Sequence, residues 1–335
     1  MRDQAFASRI TALLGIRHPI LCGGLGPGVA DAAYVAAVVN AGGMGFLVSS
    51  GFPEPGQFQD ELRRCRELTG GKPFGVNLYV SRLPGSVERI TALIPCLADA
   101  GVGCVETAGA SPEPFLPLLR EAGIRVLHKA PGIRYAQTAQ RLGVDAVILV
   151  GAECGGHPGT LMIGSMVQAA QAAALDIPVV IGGGIGTGAQ LAAVLAMGGD
   201  GVLLGTRMLV ARELWIHEAH KRRIVAADGT ESVIVKRLLR QQQRVLNNDG
   251  ARAVLALEAA GVTDFEAYRE HVQGSVTRQA YTTGDARNGM LDFGQAAVFA
   301  TAIESVEEIF DRMIDEALAA SGRLAGHCVR QAVPA

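Results

Sequence analysis

Short runs of β-branched and other apolar residues recur along the first two thirds of the chain and alternate with Ala/Leu-rich stretches of helical length. Eight strands are predicted: His18–Cys22, Met44–Val48, Phe74–Leu78, Gly103–Glu106, Arg125–His128, Ala146–Val150, Pro178–Ile181 and Gly201–Leu204. Their starts are spaced as βα units require, and their nearly unbroken apolar character fits strands buried on both faces of a parallel sheet. Several intervening helices run into a glycine stop, at Gly42-Gly43, Gly123, Gly143 and Gly198-Gly199. Eight such units in roughly 200 residues predict an α/β fold of the (β/α)8 TIM-barrel type; a doubly wound open sheet is the competing arrangement.

After Arg207 the pattern changes. From about Trp215 to Gly289 no clear strand is evident. The basic run Ser232–Asn247 reads as helical, as do Ala251–Ala260 and Thr263–Val272, and Gln295–Ala320 reads as a helix returning to the barrel. The expected division is a barrel over 1–212, a helical cap over 213–290 and a returning segment over 291–325.

Composition narrows the function. Thirty basic against 32 acidic residues give a net charge of −2, without the electrostatic footprint of a nucleic-acid binder. Half of the residues are hydrophobic, which excludes disorder as the main state. The apolar stretch from Ala32 to Phe52 is broken by Asn40 and Gly42-Gly43, so it reads as a helix and a strand rather than a membrane span. The start of the chain does not resemble a signal peptide. Six cysteines without a close pair suggest neither a zinc site nor a redox motif and fit a reducing cytoplasm. The 43 glycines are about twice ordinary usage and have no collagen-like period.

Barrel active sites lie at the carboxyl ends of the strands. There the predicted strands carry Gly23-Gly24, Asn77, Glu106-Thr107, Lys129, the loop Gly151-Ala152-Glu153-Cys154-Gly155-Gly156-His157-Pro158-Gly159, Gly182-Gly183-Gly184, and Gly205-Thr206. Glycine turns after the seventh and eighth strands are where barrels bind phosphate through backbone N–H groups and a helix start. Gly184-Ile185-Gly186-Thr187-Gly188-Ala189 also matches GxGxxA, but it follows the seventh strand and lacks the acid expected about 20 residues later in a Rossmann unit. His157, in a glycine-rich loop, suits proton transfer near neutral pH. Lys129, ending a buried strand, requires an anion: a ligand phosphate, the N1 region of a reduced flavin, or Glu106. Asn77 can serve a heteroaromatic ring edge or cap the next segment. Cys154 suits a buried thiol better than a nucleophile. Lys236, Arg237, Arg240 and Arg244 read as a solvated helix face, with a nucleotide phosphate or an acyl carrier as the less economical reading.

The run GAECGGHPG resembles the GxExGGHxG signature of the nitronate monooxygenase family, formerly the 2-nitropropane dioxygenases. Related bacterial NADH:quinone reductases and flavin-dependent enoyl-acyl-carrier-protein reductases share it. His18-Pro19-Ile20, Asn40-Ala41-Gly42-Gly43, Lys72-Pro73-Phe74-Gly75-Val76-Asn77 and the two glycine turns extend the resemblance from about Arg9 to the final helix. It implies an FMN-binding barrel, with the phosphate on Gly183, Gly184, Gly205 and Thr206 and the flavin flanked by Asn77 and Lys129. Gly23 and Gly24 would lie behind the ring, Gly156 would touch the cofactor, and His157 would face the substrate.

In the monooxygenases such a histidine takes the α-proton of a neutral nitroalkane; the flavin then accepts an electron from the nitronate, and oxygen completes the oxidation with release of nitrite. In the reductase branches NAD(P)H is the donor and a quinone or enoyl thioester the acceptor. Two departures from the family pattern, Leu25-Gly26-Pro27-Gly28 and Leu291-Asp292-Phe293-Gly294-Gln295, bear on substrate choice. Tyr79 and Tyr281 are candidate pocket walls. A flavin-free isomerase or lyase acting on a sugar phosphate, with Lys129 as its amine, would use the same turns. A small-molecule substrate is expected, with no nucleic-acid or membrane partner; a homo-oligomer is left open.

Overall fold

The computed structural model describes residues 3–52, 56–81, 84–159 and 161–328. Eight parallel strands close into a barrel in sequence order, β1 pairing with β8. They are β1 (Ile20–Cys22), β2 (Met44–Val48), β3 (Phe74–Val80), β4 (Val102–Gly109), β5 (Arg125–Ala130), β6 (Ala146–Val150), β7 (Val179–Gly182) and β8 (Gly201–Leu204). The expected strands are all present. Those at the third to fifth positions run further than their apolar runs, carrying Asn77, Glu106 and Lys129 inside the sheet. Helix α1 (Arg9–Leu14) precedes the barrel. The outer layer is α2 (Ala32–Asn40), α3 (Gln57–Leu68), α4 (Ser86–Asp99), α5 (Leu116–Glu121), α6 (Ile133–Leu142), α7 (Ser165–Ala169) and α8 (Gly188–Ala196).

The interior is filled by Leu21, Met44, Phe46, Cys104, Leu127, Ala146, Ile148, Val180 and Leu203, with Ile10 and Leu14 of α1 plugging the amino-terminal end. Large and small residues alternate across strands: Phe46 fills the space that a side chain on Gly75 would need, its ring atoms 2.3 and 2.5 Å from where a Cβ would stand. Arg9 clamps the plug by forking onto Asp200, Nε to Oδ1 at 2.9 Å and NH2 to Oδ2 at 2.7 Å. Asp200 also accepts from the Val179 N–H at 2.8 Å. This acid therefore serves the bottom of the barrel, far from the glycine turn it would have to assist in a dinucleotide fold. The GxGxxA match serves packing instead: a Cβ on Gly188 would fall 1.8 Å from the Met313 carbonyl oxygen.

Beyond β8 the chain forms α9 (Glu218–Val225), then β9 (Ser232–Val235) and β10 (Gln243–Leu246), followed by α10 (Asp249–Ala259), α11 (Phe265–Val272) and α12 (Gly274–Thr283). The helical reading of Ser232–Asn247 is thus wrong. The segment is an antiparallel hairpin, with Val235 opposite Gln243 and Ser232 opposite Leu246. Its β-branched residues Val233, Ile234, Val235 and Val245 favour a strand, and Val233, Val235 and Val245 join Ala251, Val254, Tyr268 and Met290 in a separate small core. The returning segment is also shorter than expected. Gln295–Phe299 is a single 3₁₀ turn, and the long helix is α13 (Val306–His327), started by a reciprocal Ser305–Glu308 capping box.

α13 lies against α8, where Glu316 accepts the Gly188 N–H at 2.7 Å. Because the backbone contact at Gly188 leaves no room for a methyl group, Gly188→Ala should destabilise the protein by about 1–3 kcal/mol. Urea unfolding of the two proteins measures this, and a shift of the midpoint without a change of slope is expected.

Candidate active site

At the carboxyl ends of β3, β4 and β5 three polar side chains meet. Glu106 is fully buried, and an unpaired carboxylate there would be costly. Lys129 Nζ stands 2.7 Å from its Oε1. Asn77 Nδ2 donates to Oε2 at 2.6 Å, and the Gly24 N–H reaches the same oxygen at 3.3 Å. Of the partners open to Lys129, the structure selects Glu106, and Asn77 holds the pair instead of capping a following segment. The amine needed for a flavin-free lyase is therefore committed to a carboxylate. Residues 23–24, 77, 106 and 129 form one floor.

The glycines divide into two groups. Gly24 is demanded by protein packing, since a Cβ would stand 2.7 Å from Asn77 Cβ and 2.9 Å from a Val48 methyl. Gly156, Gly183 and Gly184 have φ values of +79°, +95° and +67°, the left-handed region that glycine adopts without penalty. Gly23 and Gly205 are different. A Cβ on Gly23 would meet only ordinary contacts at 3.4–3.5 Å, and one on Gly205 would meet nothing within 4 Å. Among the described residues, no protein acceptor takes the backbone N–H groups of Gly183, Gly184 or Gly205. Donors without partners are suited to an anion, and at Gly205 the space beside the backbone is open. Thr206 begins a 3₁₀ turn, Thr206–Val210, and its Oγ1 accepts the Gly294 N–H at 2.8 Å.

The histidine loop is held from several sides. Glu153, which the motif includes, accepts the Ser165 N–H at 3.0 Å, so its role is to brace the loop. The hairpin supplies the other brace: Gly156 and Arg244 exchange backbone hydrogen bonds at 3.0 and 2.7 Å, and the Arg244 guanidinium donates to the Ala152 carbonyl at 2.9 and 3.1 Å. Burial pushes the Cys154 thiol up to about 12, so it stays protonated and is no nucleophile at neutral pH.

His157 is exposed toward the mouth, its ring 6.4 Å from that of Tyr79. Protein crowds it elsewhere, and its pKa falls to about 4, first through desolvation and then through positive Lys236 and Lys129. At neutral pH it is an uncharged base. Tyr79 thus lines the site, whereas Tyr281 is core, packed edge-on against His220 at 5.0 Å.

Sequence reading gave no specific role to Asp292 or Gln243 and set Lys236 on a solvated face. Asp292, across from Gly156, accepts from Gln243 Nε2 at 2.7 Å. Burial raises its pKa to about 6, against the Gln243 hydrogen bond and the charges of Lys236 and Lys129. Lys236 is buried, not on a solvated face, while Arg237 and Arg240 are exposed. The overlooked signal was the β-branched run Val233-Ile234-Val235 immediately before Lys236.

The sequence model of the nitronate monooxygenase family matches residues 7–92 and 87–316. The chain belongs to the nitronate monooxygenase family. It is an oxidoreductase, flavin-dependent as that family is. Among family relatives, an enzyme of Rhodococcus jostii named (3aS,4S,5R,7aS)-5-hydroxy-7a-methyl-1-oxo-octahydro-1H-indene-4-carboxyl-CoA dehydrogenase is 33% identical over 256 residues, covering 75% of this chain and 68% of the relative. A probable nitronate monooxygenase of Staphylococcus aureus is 26% identical, covering 88% and 93%. Among solved structures, FabK of Thermotoga maritima superposes with a TM-score of 0.88 at 30% identity over 97% of this chain and all of that one. The nitroalkane oxidase of Streptomyces ansochromogenes does so with 0.76 at 28% identity, over 95% and 100%. Among the described residues of this family member, no helix is long and apolar enough to cross a membrane.

Desolvation and the nearby positive charges of Lys236 and Lys129 lower the pKa of His157, so its imidazole should take up a proton only as the pH falls toward 4, not at the usual 6.5. NMR of ring-labelled protein should therefore show a neutral ring from pH 8 down to about 5; a midpoint near 6.5 would contradict this.

Proposed function

We propose that the protein is an FMN-dependent oxidoreductase that oxidises nitroalkanes and their nitronates, with His157 as the base that removes the α-proton of the neutral substrate. The observation that carries this reading is His157 exposed on a braced glycine loop beside a polar floor, with backbone donors at Gly183, Gly184 and Gly205 that no protein acceptor takes among the described residues. The donors of Gly183, Gly184 and Gly205 suit a phosphate dianion, with Thr206 beside them. The space over Gly23 and Gly205 suits a flat ring and a phosphate that approach the backbone closely. Asn77 and Lys129 would flank the ring, Gly24 would lie behind it, and Gly156 would border it on the histidine side. Bound flavin supplies the electron acceptor that no side chain here can provide.

The work of the chain's own residues follows from the geometry. Glu106 holds Lys129 and Asn77 in fixed positions, so that a charge and an amide edge are presented without reorganisation. The glycine loop sets His157 at the substrate side, where the imidazole accepts the proton from a carbon flanked by a nitro group. Tyr79 shields the approach. An already ionised nitronate needs no proton removal.

A second reading shares this site: NAD(P)H-linked redox chemistry on an acyl thioester. The 33% identical relatives named as carboxyl-CoA dehydrogenases favour it, as do the exposed Arg237 and Arg240 at the tip of the β9–β10 hairpin, which suit a phosphorylated carrier. Anaerobic mixing separates the two. Bleaching by ethylnitronate supports the first, and bleaching by NADH or NADPH but not by the nitronate supports the second.

His157→Ala should retain FMN and lose about 10²- to 10⁴-fold in turnover of neutral nitroethane, while turnover of preformed ethylnitronate stays near that of the parent. Steady-state rates with both substrates check this, and equal losses on the two would remove the base role. Two glycine variants test the cofactor reading. Gly205→Ala should melt like the parent without FMN but bind FMN at least about tenfold more weakly, because its methyl group occupies the cradle. Gly24→Ala should lower the melting temperature of the cofactor-free protein itself. Calorimetric melting and FMN titration distinguish these outcomes.

A further inference from the structure

Lys236 is a charged residue of the hairpin whose placement neither packing nor pairing explains. It follows the last residue of β9, with φ at +60°, a conformation uncommon for a side-chain-bearing residue. Only 8% of it is exposed. Among the described residues no hydrogen bond or ion pair reaches its ammonium group; Asp292 attracts it only at longer range. A cation on so enclosed a residue, without a protein acceptor, is costly, and a left-handed backbone adds to that cost. The neighbouring exposed Arg237 and Arg240 show that this turn can keep its cations in water.

The architecture fixes where the hairpin carrying this charge docks. Val235 pairs with Gln243, and Gln243 holds Asp292 at 2.7 Å. The next residue, Arg244, bridges Gly156, one position before His157, and Val245 bridges Asp292. The hairpin thus docks edge-on against the histidine loop. Lys236 stands close enough to His157 and Asp292 to bias the charge of both. Lys129, the other cation of the site, is held by Glu106 in the floor. Lys236, on the edge of the hairpin that docks against the histidine loop, is a second cation near His157 and has no such acid to hold it among the described residues.

We propose that Lys236 is the oxyanion-binding residue of this site, receiving the substrate oxygen that becomes negative when His157 takes the neighbouring proton. The inference rests on the base role of His157 given above. In the step, the C–H bond breaks and its proton forms an N–H bond on the imidazole. The C–H electron pair becomes a C=N bond in a nitroalkane, and a nitro oxygen takes the displaced π pair. That oxygen, or both oxygens of a preformed nitronate, lies against the ammonium of Lys236. The step is a proton transfer and needs no oxidant. Asp292 acts as a positioning residue, keeping the ammonium between itself and the substrate. The substrate class is a carbon acid carrying a planar oxygen function, and the cap hairpin selects for it.

The test uses the FMN-loaded protein and nitrate, a planar oxyanion that mimics the nitronate head and cannot be turned over. Nitrate binding is read from the perturbed flavin spectrum, and KM and kcat are measured with ethylnitronate. Lys236→Met should weaken nitrate binding and raise the KM for ethylnitronate by about tenfold or more, as expected for loss of one charge-assisted hydrogen bond, with FMN affinity unchanged. Lys236→Arg should recover most of both, which a merely structural contribution to the turn would not require. Failure of the parent to bind nitrate, equal binding by parent and Lys236→Met, or loss of FMN in place of nitrate would each overturn the proposal. If Lys236→Met does not fold, Lys236→Arg and Lys236→Gln decide by the same readout: the proposal requires Arg to bind nitrate much more tightly than Gln. Should the parent oxidise no nitroalkane yet bind nitrate through Lys236, the substrate reading fails and the oxyanion site stands.

Discussion

The mouth of the barrel is organised by one buried carboxylate. Glu106 has no access to water, so its charge must be matched by protein groups, and those groups come from three other strand ends: Lys129 from β5, Asn77 from β3 and the Gly24 N–H after β1. An arrangement of this kind gains little net stability, because desolvation offsets much of the attraction. What it supplies is position. Each partner is fixed by the requirement that the carboxylate be satisfied, so the floor presents a rigid set of donors to whatever lies above. The packed interior beneath, plugged by α1 and clamped through Arg9 and Asp200, keeps that floor from sinking.

The barrel was legible because its strands are buried on both faces. Burial on two sides forces nearly continuous apolar runs, and the glycine stops between them mark each return to the sheet. The polar residues that interrupt the runs at their carboxyl ends identified the floor and the histidine loop. The cap was not legible by the same rule. In Ser232–Leu246 the cations Lys236, Arg237, Arg240 and Arg244 are spread among the apolar residues, which suggests a solvated helix face. Only the pairing of Val233–Val235 with Val245, and their contact with Ala251, Val254 and Tyr268, reveals a strand. Tertiary pairing, invisible along the chain, overrode local appearance. Lys236 and Asp292 were lost to view for the same reason: they lie far apart in sequence and meet only when the hairpin docks.

That docking links specificity to the family signature. The GxExGGHxG loop braces itself through Glu153 and Ser165, yet its histidine side is completed by a hairpin outside the barrel repeat. In the proposed reading, the barrel half of the site, with its floor and glycine rim, would hold the flavin, and the cap half, with Lys236, Asp292 and the exposed Arg237 and Arg240, would address the substrate.

The central claim is that a flavin mononucleotide rests on the Glu106 floor with its phosphate at the turns after β7 and β8. A crystal structure of the FMN-loaded protein tests it most directly. The account predicts phosphate oxygens at about 2.7–3.2 Å from the backbone nitrogens of Gly184 and Gly205, with the ring above Glu106, Asn77 and Lys129. A phosphate bound elsewhere, with those nitrogens facing only water, would contradict it.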